Sequence, residues 1–403
     1  MADLLTVGAL FAAIALGSVL AARLGTSVIP LYILTGMLVS PAVAGELVVA
    51  GYDVPAIQGG EFVEIGAELG IVFLLFFLGL EFNLERLVAD RGRIVTAGTI
   101  DLAVNFGAGL VVGFLLFESL LAAFLLAGIV YISSSAIITK SLIDFGWIAN
   151  DEAGPMLGTL VFEDLAIAVY LAIAVALVAG GNGVAGLATA VGLAMGFIVL
   201  LLLVVQFGSG AFERLLAGAS NEFLVLRVVG VTVLVAGVAL AIGVSEAVAA
   251  FFVGMAFAST SHVERLERLL EPVRDVFAAV FFVWIGLETD PVLVAEVAAL
   301  VAIAVAATTP TKLFSGYLGG RAYGLSPRRS TRVGLGMVTR GEFSLIIAAV
   351  AIEGAGGTLS AAVASDIYAF AVGYVLAMSV LGTVLMQYSG PFERFAVGRF
   401  GME

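Results

Sequence analysis

The 403-residue sequence contains no cysteine and a single histidine. The first absence excludes a disulfide framework, a thiol nucleophile and any cysteine-based metal or iron–sulfur site. The second excludes a histidine-built metal centre, because His262 stands alone in a charged loop. Charge is also scarce. Only 12% of residues are Asp, Glu, Lys or Arg, against about 25% in soluble domains. Of the 18 basic residues only two, Lys140 and Lys312, are lysines, and 31 acids bring the net charge to −13. An acidic, lysine-poor surface fits a high-salt habitat, such as that of a halophilic prokaryote, with a modest acidic bias of the loops as the plainer alternative. No nucleic-acid partner is expected. No basic segment precedes the first apolar run, so no cleavable signal peptide is expected either.

What the sequence has in abundance is apolar side chains, 62% of the total. A mean hydropathy of +1.17 cannot be hidden in one soluble core, since a chain of this size must still cover its surface with polar groups. Lipid must be the solvent for much of the chain. A bilayer-crossing helix needs about 20 mostly apolar residues. Such runs lie near 4–22, 27–45, 62–81, 94–116, 119–140, 156–179, 183–206, 222–243, 246–260, 273–288, 292–318, 331–352 and 364–388. The expected fold is therefore an all-α polytopic membrane protein of about thirteen transmembrane helices. With the N-terminus outside, sixteen of the eighteen cations fall at cytoplasmic ends, while the opposite loops carry acids such as Glu46, Asp53, Glu61 and Asp290. This is the positive-inside pattern, and it places the C-terminus in the cytoplasm of a plasma-membrane protein. Lys312 and Arg340 are left inside apolar helices.

Gly79-Leu80-Glu81 closes the third span and Gly286-Leu287-Glu288 the tenth, 207 residues on. The third span runs inward and the tenth outward, so the repeat is inverted. The same offset carries Ser133-Ser134-Ser135 onto Arg340-Gly341-Glu342, and Asn105 onto Lys312. Interrupted helices in corresponding places of two inverted halves point to the binding site of a secondary transporter. The halves run over about 1–180 and 222–390, with a linker helix over about 183–206. No nucleophile–base pair is visible, so an enzyme is not expected.

Glu163 and Asp164 lie together in the apolar sixth span. A charge at the bilayer centre costs about 2.5–3.5 kcal/mol on insertion scales, so two adjacent acids need a reason. One is structural, pairing with Lys312 and Arg340. The other is that a carboxylate in a partly dry cavity holds either a proton or a monovalent cation but not both, which is antiport in its simplest form. Oxygen ligands suit an alkali cation, from a carboxylate and from carbonyls freed where a helix unwinds near Ser133–Ser135. Adjacent helical residues point about 100° apart. One acid thus meets the ion while the other meets Lys312; spacing alone does not say which. Ser133, Ser134, Ser135 and Thr139 form a hydroxyl cluster, which also fits ordinary helix-interface bonding. Arg340 and Glu342 flank Gly341 as in a broken helix with charge-balanced dipole ends, or as a self-contained ion pair. Asp101 and Asn105 share one face of the fourth span. They line the same polar centre or merely pack.

In this order and spacing, several motifs are specific. They are Phe77-Leu78-Gly79-Leu80-Glu81, Ser133-Ser134-Ser135-Ala136, the Glu163-Asp164 pair, Gly243-Val244-Ser245 before Ala250-Phe251-Phe252-Val253-Gly254, Lys312, and Arg340-Gly341-Glu342-Phe343. The chain resembles, over nearly its whole length, the second cation:proton antiporter family of the monovalent cation:proton antiporter superfamily, which includes Kef-type K⁺/H⁺ and bacterial Na⁺/H⁺ exchangers. The resemblance implies a homodimer of thirteen-helix protomers, each with a dimerisation domain and a mobile core that moves like an elevator. It implies that the fifth and twelfth helices are discontinuous and cross beside the sixth. It assigns Asp164 to the proton and the alkali cation, and Glu163 to Lys312. Glu-Asp departs from both the Asp-Asp and the Gln-Asp of family subgroups, so the ion and the stoichiometry stay open, with K⁺ slightly favoured over Na⁺. No cofactor is implied beyond the transported K⁺ or Na⁺ and H⁺. Kef-type chains often continue into a cytosolic nucleotide-binding domain. This chain shows no Gly-rich dinucleotide loop, so a regulatory subunit, if any, is expected to be separate. A cation channel and an organic-anion/Na⁺ symporter on a related fold are the rival functions.

Overall fold

The computed structural model describes residues 4–24, 27–46, 48, 49, 52, 53, 56, 57, 59–81, 91–147, 149–180, 220–242, 246–258 and 260–400, with 192, 196, 199–201, 203, 210, 212–214, 216 and 218 between them. The helices are α1 (Leu4–Leu24), α2 (Val28–Val39), α3 (Glu61–Glu81), α4 (Arg91–Phe117), α5 (Leu120–Tyr131), α6 (Ser135–Asp144), α7 (Ala153–Ala179), α8 (Asn221–Ala241), α9 (Glu246–Ala258), α10 (Val263–Leu287), α11 (Pro291–Glu296), α12 (Ala298–Ala322), α13 (Pro327–Gly336), α14 (Glu342–Glu353), α15 (Ala361–Gln387) and α16 (Ser389–Phe400). Two two-residue antiparallel strands, pairing Val48 with Asp53 and Val49 with Tyr52, are the only strands among the described residues. Seven of the helices are both long and apolar enough to cross a bilayer. Shorter apolar helices, α2, α5 and α9, stand beside them. The expected linker helix over 183–206 lies largely, and Gly243-Val244-Ser245 wholly, outside the described residues.

Local chemistry sets the helix ends. Ser119, Ser220, Ser326 and Ser360 each accept a hydrogen bond from a backbone N–H of the following first turn, on α5, α8, α13 and α15. Such caps satisfy amides that a helix start leaves unpaired. Pro327, in the first turn of α13, has no such amide to satisfy. The expected fifth and twelfth spans are each broken in two. The fifth opens at Ile132, where the backbone turns extended (φ −70°, ψ 129°), and helix resumes at Ser135. The twelfth stops at Gly336 and resumes at Glu342. Several boundaries differ from expectation: the second span ends at Val39 rather than near 45, and the eleventh is divided at Val297. The tenth span begins ten residues early because Val263–Pro272 is an amphipathic stretch rich in Glu and Arg, invisible to a search for apolar runs. The last span is followed by a further helix, α16.

The chain forms two compact units. The first comprises residues 1–20, 31–83 and 168–288; the second comprises 21–30, 84–167 and 289–403. Each takes segments from both halves of the sequence. In the first unit, glycines mark where backbones touch. A Cβ at Gly79 would strike the carbonyl of Phe251, and one at Gly254 would strike that of Phe76. Gly36 and Gly286 make the same reciprocal contact between α2 and α10. The recurring Gly-Leu-Glu thus has a packing reason in both places: only a residue without Cβ lets the helices approach so closely.

Candidate functional site

The polar side chains of the second unit converge at the two helix breaks. Ser134 donates its backbone N–H to the Thr339 carbonyl at 3.2 Å, and Ser133 Oγ donates to the Met337 carbonyl at 3.3 Å. The broken stretches therefore hold each other directly. Breaking a helix in lipid leaves backbone groups that must be satisfied internally, and two charged residues of the twelfth span do that. Arg340, fully buried, donates Nη1 to the carbonyls of Met337, Val338 and Thr339 and Nε to that of Val130. One guanidinium closes the C-terminal ends of both α13 and α5, where the helix dipole is negative. Glu342, at the N-terminus of α14, accepts from Ser134 Oγ at 2.8 Å and Ser135 Oγ at 3.3 Å. It sits at the start of α6 as well. The expected Arg340–Glu342 ion pair does not form among the described residues. The reason is that backbone ends of opposite polarity claim the two charges separately.

The hydroxyl cluster is likewise divided. Ser133 turns to Glu163, while Ser134 and Ser135 turn to Glu342. Successive side chains of extended backbone alternate in direction, so 133 and 134 part company. Thr139 lies half-buried further along α6. The carbonyls at the end of α5 each accept a side-chain donor. Those of Ile129, Val130 and Tyr131 are taken by Ser344 Oγ, Arg340 Nε and Lys312 Nζ.

Lys312, on α12, lies 0% exposed between two carboxylates. Its Nζ is 2.6 Å from Asp101 Oδ2, 2.7 Å from Glu163 Oε1 and 3.0 Å from the Tyr131 carbonyl. Three ammonium protons meet three oxygens. Glu163 spends its other contacts on the broken stretch: Oε2 accepts from the Ser133 backbone N–H at 2.7 Å and Oε1 from Ser133 Oγ at 3.0 Å. Asp101 Oδ1 accepts from Asn105 Nδ2 at 2.9 Å and Ser315 Oγ at 2.7 Å. Thr311 Oγ1 completes the net by donating to Asn105 Oδ1 at 2.9 Å. Asp101 and Asn105 thus line the polar centre. Asp164, 7% exposed, is the next residue of α7 after Glu163. Burying three charges together is tolerable only with this density of partners, since each ion gives up several kcal/mol of hydration.

Ser315, Thr311, Tyr131 and Ser344 join the site without having been singled out in the sequence. Thr308, Thr311, Lys312 and Ser315 recur at the spacing of one helix face within an apolar helix, a signal that was legible. Tyr131 enters through its own backbone carbonyl and Ser344 through a hydroxyl donated to that of Ile129, and nothing in their spacing marks that. Among the described residues no group of three or more acids or histidines is placed to hold a metal.

The sequence pattern of the transmembrane sodium/hydrogen exchanger family matches residues 7–387. Among curated proteins, the K(+)/H(+) antiporter subunit KhtU of Bacillus subtilis is 36% identical over 384 residues, covering 95% of this chain and 92% of that one. The Ammonium/H(+) antiporter subunit AmhT of Alkalihalophilus pseudofirmus is 31% identical over 83% of each. Among solved structures, a sodium proton antiporter from Methanocaldococcus jannaschii superposes with a TM-score of 0.73 at 15% identity, over 95% of this chain and 100% of the other; that likeness speaks for the fold. The chain belongs to the sodium/hydrogen exchanger family and is a multi-pass membrane cation/proton antiporter, not an enzyme.

Proposed function

We propose that the protein exchanges K⁺ for H⁺ by elevator-type alternating access, with Asp164 binding the proton and the cation in turn. The observation that carries this reading is the placement of Asp164 beside Glu163, whose own carboxylate is already committed to Lys312 and Ser133. Of the two acids in the sixth span, Glu163 takes its hydrogen bonds from Lys312 and Ser133. Asp164, on an adjacent helical direction, is the one assigned to exchange. A group that trades a proton for a cation needs oxygen ligands and a changeable charge, and Asp164 supplies both. That all these groups fall within one compact unit supports the elevator, since a site that travels as a body must be built within the body that moves.

K⁺ is preferred over Na⁺ on chemical kinship. Two relatives more than 30% identical are named for K⁺ and for ammonium, ions of nearly equal size. The inverted repeats over 1–180 and 222–390 supply the alternation. The chain works as a homodimer in the plasma membrane, N-terminus outside and C-terminus cytoplasmic. A separate cytosolic regulatory subunit accompanies it, in keeping with the word "subunit" in the names of both relatives.

The test is reconstitution in liposomes containing a trapped pH dye, with membrane potential clamped and K⁺, Na⁺, ammonium or choline added outside. A pH change that follows K⁺ and not choline, and that vanishes in Asp164→Asn, is expected. Exchange driven by Na⁺ alone overturns the ion assignment. Exchange that survives in Asp164→Asn overturns the role of the residue.

A further inference from the structure

We infer that Asp101 is the standing counter-ion of Lys312, a positioning residue that keeps this lysine charged and in place while its contact with Glu163 opens and closes. The inference rests on the antiport reading above and adds to it a residue that the reading does not use.

The geometry is asymmetric. Both carboxylates touch the same Nζ, at 2.6 and 2.7 Å, yet they are anchored to different things. Asp101 is tied to α4 and α12, two continuous helices of 27 and 25 residues, the second with Pro310 in its interior. Its Oδ1 takes hydrogen bonds from Asn105 of its own helix and Ser315 of the other. Asn105 in turn bonds both Ser315 and Thr311. These contacts join one turn of α4 to one turn of α12. Glu163 is tied instead to Ser133, in the extended link between α5 and α6. That link is where the helix is broken, and where the neighbouring Asp164 is proposed to take and release its ion.

A cycle that rearranges the break must disturb the Glu163 side of the lysine. If Glu163 were the only acid present, each such step would strip a buried ammonium of its partner, which is steeply unfavourable in a lipid-surrounded interior. With Asp101 fixed on the rigid side, the ammonium stays compensated and the step remains accessible. One cation shared by two acids is the arrangement this task requires. One acid with one cation would serve a purely structural pair.

The test uses the full-length protein. Asp101→Asn is expected to keep the KM for K⁺ within about threefold of wild type while the maximal exchange rate per folded protein falls about tenfold or more, because the ion ligands are untouched and only the step that opens Glu163–Lys312 is hindered. Asp101→Glu should recover part of the rate. A melting cycle on purified protein reads the same pairing without transport. Glu163→Gln should stay folded, Asp101→Asn with Glu163→Gln should melt far below the sum of the single effects, and adding Lys312→Met should restore it. An unchanged rate per folded protein in Asp101→Asn overturns the inference. So does an additive double variant, or one that Lys312→Met fails to rescue. If the wild type exchanges no cation at all, the antiport reading falls by itself, and the melting cycle still decides the role of Asp101.

Discussion

The second unit contains two clusters of opposite charges, and they are built on different arithmetic. At the helix breaks one cation, Lys312, serves two acids, Asp101 and Glu163, with none of the three more than 1% exposed. At the far end of α13, three arginines face three acids. Arg328 and Arg332 both bind Glu393, Arg332 also binds Glu152 at 2.6 Å, and Arg329 binds Asp151. Arg332 also lies over the ring of Trp147, 4.9 Å from its centroid. The second cluster is balanced and partly solvated: Arg328 is 60% exposed and Arg332 21%. A balanced cluster has one arrangement in which every charge is satisfied, so it fastens α13, α16 and the segment before α7. An unbalanced one has a charge to spare and is suited to a cycle in which a proton or a cation comes and goes. Substitutions at the centre should therefore alter transport, and those at the periphery stability alone.

The largest effect is expected at Asp164. Asp164→Asn should abolish exchange in the liposome assay while the protein still purifies as a folded species. Next is Arg340→Met, which strips the carbonyls of Val338 and Val130 of their donor, while those of Met337 and Thr339 keep Ser133 Oγ and the Ser134 N–H. Leaving a buried acceptor unsatisfied costs about 1–3 kcal/mol each. Loss of about 3 kcal/mol or more is expected, seen as a lower melting temperature in detergent. Glu163→Gln should leave exchange present but altered in rate and potential dependence. Complete loss there, with Asp164→Asn still active, would reverse the two roles.

At the periphery, Glu393 gives a pH-dependent test. Burial alone pushes its carboxyl up. Hydrogen bonds from Arg332, Arg328 and Ser389 outweigh that and hold it down at about 2, against an ordinary 4.5. A group whose pKa is depressed by folding contributes stability that is fully present above the unfolded value. That contribution should persist above pH 4.5 and fade as pH falls toward 2. Glu393→Gln should cost about 2 kcal/mol at neutral pH, the scale of a charge-assisted bond network, and should flatten the melting curve against pH over that acid window. Exchange per folded protein should not change. A change there would break the comparison, because it would make the balanced cluster part of the cycle.

The sequence was informative where polarity interrupts apolarity. Ser133–Ser135 and Arg340–Glu342 stand out because nothing apolar explains them, and both breaks fall there. Glu163 and Lys312 stand out as charges in lipid. What could not be read was partnership. Asp101 and Lys312 are 211 residues apart, and no local spacing couples them. Arg340 was easy to see and its partners were not, because a backbone carbonyl has no residue type. The nearby Glu342 was the obvious mate by sequence, yet the dipole ends of two half-helices drew the pair apart. The amphipathic start of α10 was missed for a simpler reason: Glu264, Arg265, Glu267, Arg268 and Glu271 lower its apolarity without weakening it as a helix.

The smallest expected effect separates the two clusters most cleanly. Arg329 is 44% exposed and its close partner Asp151 71%, and its Nε reaches the buried Glu152 only at 3.8 Å. Exposed pairs gain little, because water already solvates both charges and two long side chains must be held still. Arg329→Ala should therefore change stability by about 0.5 kcal/mol or less, and 1 M salt should remove even that difference. Arg332→Ala removes a partner from the fully buried Glu152 and from Glu393 together, so its loss should be several times larger and should survive in salt. The two arginines lie three residues apart on one helix, which leaves burial as the variable. If Arg329→Ala proved as damaging as Arg332→Ala, the peripheral cluster would be acting as one cooperative network. Its balance of charges would then matter more than the exposure of each pair.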